Sequence, residues 1–78
     1  MDQEKGKYTD KIIEARIRKN PQKYLAQVNE MNSALKSCDR EHTNLTDCLL
    51  IHQNNVSKCI ECIKAEVICF KNSGVIID

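Results

Sequence analysis

Apolar or ring-bearing side chains recur along the middle of the chain at Tyr24, Val28, Met31, Leu35, Cys38, His42, Leu45, Leu49 and His52. The steps alternate four and three, the spacing of a single seam along an α-helix. A second stripe, Val56, Ile60, Ile63, Val67 and Phe70, repeats the alternation. No stretch alternates apolar and polar residues over a useful length, so the pattern predicts helices and no sheet. The short apolar tail Val75-Ile76-Ile77 is the one segment where a strand stays open.

Helix boundaries follow from local chemistry. Thr9 suits an N-cap, with Asp10 in the first turn and Tyr8 placed to staple against Ile13. That first helix ends near Asn20, because Pro21 disfavours helical geometry in the residue before it. Asn20-Pro21 then opens the next helix, with Asn as cap and Pro at the first position. The unbroken register from Pro21 to Ile51 predicts one helix or two nearly collinear ones, with Ser33 and Ser37 the cheapest places to bend. His52-Gln53-Asn54-Asn55 is polar and turn-prone, and Asn54 or Asn55 is expected to cap the last helix. Asn72-Ser73-Gly74 closes that helix, with Gly74 as the left-handed residue. The expected layout is all-α: a helical extension over 1–30, a hairpin over 31–72 and a tail over 73–78.

Size makes stability the first problem. A chain of 78 residues buries only about 60% of its unfolded surface, so its core needs a cross-link, a metal or a partner. Five cysteines stand out at this length. No apolar run approaches the ~20 residues of a membrane span. The first residues hold no apolar leader, and Asp2, Glu4, Asp10 and Glu14 count against a transit peptide. Two sequons, Asn44-Leu45-Thr46 and Asn55-Val56-Ser57, are therefore expected to be chance matches. A cysteine-rich chain without an ordinary export signal needs another route to an oxidising compartment.

Nine residues separate Cys38 from Cys48, and nine separate Cys59 from Cys69. Ten steps make about 2.8 helical turns, so each pair stays on one side of its helix, ~15 Å apart. Folded antiparallel about the turn, equal spacings bring Cys48 level with Cys59 and Cys38 level with Cys69. Unequal spacings would exceed the ~7 Å between α-carbons that a disulfide tolerates. Bridges closing about 10 and 30 residues would contribute roughly 3 and 4 kcal/mol.

The pattern C-x9-C…C-x9-C on two helical seams resembles the twin C-x9-C proteins of the coiled-coil-helix–coiled-coil-helix (CHCH) class. The resemblance covers residues 31–72. It implies a disulfide-stapled antiparallel hairpin with bridges Cys38–Cys69 and Cys48–Cys59. It also implies residence in the mitochondrial intermembrane space, reached without a cleavable presequence. There an import oxidoreductase transiently docks one cysteine beside an apolar patch. Met31 and Leu35 before Cys38 suit such a patch, as do Ile63 and Phe70 beside Cys59 and Cys62. The class leaves function open, since it includes respiratory-complex subunits, assembly factors, copper carriers and a mitoribosomal protein. A copper carrier of the class has adjacent cysteines ahead of the first C-x9-C, and residues 1–37 here contain none.

Zinc is the rival use of these sulfurs. Cys38 and His42 lie four apart, as do Cys48 and His52, and Cys59-x-x-Cys62 adds a third pair. Cys48, His52, Cys59 and Cys62 near the turn make a conceivable tetrahedral set. Zinc would leave the matched spacing unexplained, so the disulfide assignment is preferred and no metal or cofactor is expected. Cys62 is then the odd cysteine, opposite Leu45 in a level pairing: an inert buried thiol, an intermolecular link or an alternative partner for Cys48. Neither His42 nor His52 has a visible nucleophile, so no enzyme activity is expected.

Charge is nearly balanced, 12 basic against 11 acidic residues, which argues against nucleic-acid binding. Seven bases and four acids fall within residues 1–24. Arg16, Arg18, Lys19 and Lys23 are thus a solvated face or a contact for anionic lipid head groups or RNA. One hairpin seam leaves Ile12, Ile13, Ile17, Tyr24, Val28, Leu50, Ile51, Ile68 and the tail without an evident partner, although the first helix has residues 24–31 to cover. Residual apolar surface on a small chain marks a docking interface. The expected function is a structural accessory subunit of an inner-membrane respiratory complex, held on its intermembrane-space side. A soluble assembly or metal-delivery factor and a mitoribosomal protein are the alternatives.

Overall fold

The computed structural model describes the backbone of residues 10–74 and the side chains of 11–74. The described residues hold four α-helices: α1 (Asp10–Lys19), α2 (Pro21–Ala34), α3 (Asp39–Ile51) and α4 (Ile60–Asn72). Short 3₁₀ turns, Lys36–Cys38 and Val56–Cys59, lead into α3 and α4. No strand occurs among the described residues. The fold is an all-α, disulfide-stapled antiparallel hairpin of α3 and α4, extended at its N-terminal side by α1 and α2. The expected cap Thr9, the staple residue Tyr8 and the Val75–Ile77 tail lie outside the described residues.

Helix α4 is central and packs against α1, α2 and α3. Its stripe explains this role. Val56, Ile60, Ile63, Val67 and Phe70 are all buried, and Phe70 and Ile63 have no exposure. The facing stripe is less regular. Tyr24, Val28, Cys38 and Leu45 are buried, Met31, His42 and Leu49 are half-buried, and Leu35 and His52 are exposed.

The irregularity has a cause. The chain does not run collinearly from Pro21 to Ile51. It breaks at Leu35, whose backbone is extended (φ −125°, ψ 107°), between the two serines expected to bend most easily. Helix α2 touches both α4 and the Val56–Cys59 turn that leads into it. A collinear extension of α3 would have carried α2 past the open end of the hairpin. Tyr24 and Val28 therefore meet α4 from a second side, and Leu35 at the corner loses its place in the seam.

Folding back also corrects the expectation of abundant free apolar surface. Ile13, Ile17, Tyr24 and Val28 join one core cluster with the hairpin residues. Ile17 and Val28 have no exposure. Glu14 tethers α1 to α4: its carboxylate takes Arg18 at 2.7 Å and Lys64 at 3.2 Å. Among the described large hydrophobics, Leu50 (72% exposed), Ile51 (75%) and Leu35 (42%) remain outside.

The joints follow the expected chemistry. Pro21 opens α2, though Asn20 makes no side-chain cap bond. The reversal occurs at His52–Asn55, where α3 ends in a Schellman arrangement. Asn54 N–H bonds Leu49 C=O at 2.7 Å and Gln53 N–H bonds Leu50 C=O at 3.3 Å. Gln53 (φ 56°) and Asn54 (φ 65°) hold the left-handed conformations. Asn55 caps the second 3₁₀ turn rather than the last helix as expected, without a side-chain bond, because the 3₁₀ turn intervenes and puts Cys59 at the cap of α4. Gly74 has φ 94° and its N–H bonds Lys71 C=O at 3.0 Å.

Candidate functional site

The four bridging sulfurs sit in two structurally repeated units. Each unit is an extended residue, a 3₁₀ turn, a cysteine and a helix of 13 residues. Cys38 caps α3 with φ −118°, ψ 34°, and Cys59 caps α4 with φ −115°, ψ 22°. The first cysteine of each C-x9-C pair thus lies at a helix entrance rather than inside a helix, as the periodicity had implied. This placement fixes the height of each sulfur from the helix start. Antiparallel packing then sets entrance against far end twice.

The resulting bridges are Cys38–Cys69, with α-carbons 6.1 Å apart, and Cys48–Cys59, at 6.0 Å. The near-identical separations are the structural form of the equal spacing. Cys38 and Cys59 are buried; Cys48 and Cys69 are half-buried. The tetrahedral set Cys48, His52, Cys59 and Cys62 is not assembled as thiolates: two of its sulfurs are bonded to each other and His52 is exposed. Near the outer bridge the Glu41 carboxylate lies within 4.8 Å of both sulfurs. Those sulfurs are also joined, which leaves them weak donors to a cation.

Cys62 carries the free thiol and is half-buried. Burial, and then the Glu61 charge, push its pKa above the ordinary 9.0. That environment suppresses thiolate and suits the inert reading of this residue.

One polar pair in the seam was not foreseen. His42 on α3 meets Glu66 on α4, with Nδ1 3.0 Å from Oε2, and the carboxylate has no solvent exposure. Burial pushes the Glu66 pKa up, and the facing His42 opposes that shift. The signal was present in the cysteine register. Pairing 38 with 69 and 48 with 59 places His42 opposite Ala65, next to Glu66. Gln27 Oε1 and Asn32 Oδ1 on α2 are buried without a hydrogen-bond partner.

The basic N-terminal group divides. Arg18 is engaged by Glu14 and, at 3.8 Å, by Glu61. Arg16, Lys19 and Lys23 instead line an open depression with Asn20 and Tyr24. No described helix is long and apolar enough to cross a membrane. No family model matches the chain, and no curated protein or solved structure matches it.

Proposed function

We propose that this chain is a non-enzymatic structural subunit of the twin C-x9-C (CHCH) type, serving a respiratory complex from the intermembrane-space side of the inner mitochondrial membrane. The supporting observation is the pair of level bridges joining two repeated 3₁₀–α units. Such a device stabilises a hairpin too small to rely on its core. It forms only where thiols are oxidised. The import oxidoreductase would act on the reduced chain, whose stripe residues Ile63 and Phe70 are later sealed in the core. Leu50 and Ile51, adjacent and exposed beside the turn, are the residues through which the hairpin would meet its host.

Burial of Ile13, Ile17, Tyr24 and Val28 supports the second reading, a self-contained assembly factor of the same compartment. Their burial removes much of the apolar surface that a permanent subunit would present. One experiment decides between the two. The tagged protein is recovered from mitochondria solubilised in mild detergent, and its co-migrating partners are identified. Recovery with respiratory subunits, lost in Leu50→Ser/Ile51→Ser, is the expected result. A discrete small species would move the assignment to the assembly factor. Ribosomal proteins and RNA would move it to the mitoribosome. Recovery outside mitochondria would overturn the family reading.

A further inference from the structure

An open depression of about 370 Å³ lies at the corner where α1 meets α2, lined by the exposed Arg16, Lys19, Asn20 and Lys23 and by the buried Tyr24. Three of the five lining residues are cations and none is an acid. Among the described residues, neither Arg16, Lys19 nor Lys23 has an ion-pair partner: the nearby Glu14 and Glu61 are taken by Arg18 and Lys64. Like charges gathered without a counter-ion repel one another. The negative end of α1 offsets part of that repulsion.

Two further features mark this corner. Tyr24 is only 5% exposed. Its ring holds the Lys23 ammonium 5.6 Å from the centroid, which fixes one cation at the wall. In addition, Asn20 leaves α2 without a side-chain cap, and the first turn of α2 contains no acid. The start of α2, next to the lining residues Asn20 and Lys23, is therefore left without an acidic or side-chain cap.

We propose that this corner binds a phosphate group. A guanidinium fork, two ammoniums, a phenol and an amide offer more donors than the two oxygens of a carboxylate can use, whereas a tetrahedral phosphate presents more acceptors. The group can belong to a soluble phosphate or to a phospholipid head group. The site is independent of the host assigned above.

The oxidised full chain, isotopically labelled, is titrated with inorganic phosphate at constant ionic strength. In parallel it is sedimented with vesicles of phosphatidylcholine alone or with about one-fifth phosphatidylglycerol. The expected result is saturable shifts of the amides of residues 20–24 and of the Tyr24 ring. Arg16→Gln/Lys19→Gln/Lys23→Gln should weaken binding at least about a hundredfold, since each charged contact is worth roughly tenfold. Tyr24→Phe should weaken it by less. Lys36→Gln/Arg40→Gln/Lys58→Gln removes equal charge elsewhere and should leave binding intact. Phosphate binding without vesicle binding assigns a soluble ligand; vesicle binding that depends on the three cations assigns a head group. Equal loss in both triple variants, or binding of neither probe, overturns the site.

Discussion

The Nδ1 of His42 stands 3.0 Å from Oε2 and 3.2 Å from Oε1 of Glu66, and this contact places a carboxylate with no solvent exposure inside the α3–α4 seam. Removing a carboxylate from water is costly, whereas burying an apolar group is favourable, so the partner decides whether the carboxylate is tolerated. Burial is the larger influence and raises the Glu66 pKa above 4.5; His42 opposes it, while Glu41 and Asp39 add smaller repulsion. A raised folded pKa contributes stability that is full below the unfolded value and is lost as pH rises through the folded one. Glu66→Gln keeps a contact for His42 and removes the charge. Its unfolding free energy, measured against wild type, should improve as pH rises above 4.5. A difference independent of pH would refute the shift. His42→Ala should cost about 2 kcal/mol at neutral pH, less in acid.

The two bridges differ in the chain they restrain. Cys38–Cys69 spans 31 positions and Cys48–Cys59 spans 11. Loop-closure entropy assigns them roughly 4 and 3 kcal/mol. Cys38→Ser/Cys69→Ser should therefore lower stability more than Cys48→Ser/Cys59→Ser, and reductant should lower the melting temperature of the wild type. An unchanged melting temperature in reductant would remove the structural role of both bridges.

The cysteine spacing made the hairpin legible, because a covalent link turns sequence distance directly into spatial height. The same spacing sets His42 level with Ala65, beside Glu66, but composition alone does not show which carboxylate is buried. The place of the break was legible, since Leu35 lies between Ser33 and Ser37, but its extent was not. Heptad steps continue through it, and only the packing of the buried Tyr24 and Val28 rewards the bend. The free surface was overestimated for the same reason: one seam was assumed, and folding back created a second. The cation-lined depression depended on that fold-back too, because nothing in the run Arg16 to Lys23 distinguishes the engaged Arg18 from its neighbours.

If α1 is integral to the core, its apolar side chains carry stability. Ile17 is fully buried with Ile13 beside it in the same cluster. Ile17→Ala should cost about 2–4 kcal/mol in urea unfolding. Glu14→Gln removes a half-buried ion-pair tether at the rim of the core and should cost less than Ile17→Ala. An Ile17→Ala variant as stable as wild type would show that α1 does not dock.

The Schellman turn offers a stabilising change. Gln53 adopts φ 56° at the left-handed position closing α3, where a Cβ costs about 1 kcal/mol and glycine fits without strain. Gln53→Gly should raise stability by up to ~1 kcal/mol, net of the greater entropy of glycine in the unfolded chain. Destabilisation would mean that the Gln53 side chain makes a contribution larger than the strain it introduces.

Cys62 tests the inert reading of the fifth cysteine. The thiol is half-buried one residue from Glu61, and burial and that charge both hold its pKa above 9.0. The thiolate is the reactive species, so alkylation at neutral pH should be slower than for a cysteine in an unfolded peptide. Urea should abolish the difference, because unfolding restores water to the sulfur. The oxidised protein should yield one reactive thiol per chain, with an alkylation midpoint above pH 9. Non-reducing gels should show monomer for wild type and Cys62→Ser alike. Fast labelling in the folded state, or a covalent dimer lost in Cys62→Ser, would instead make Cys62 a site of linkage to another chain.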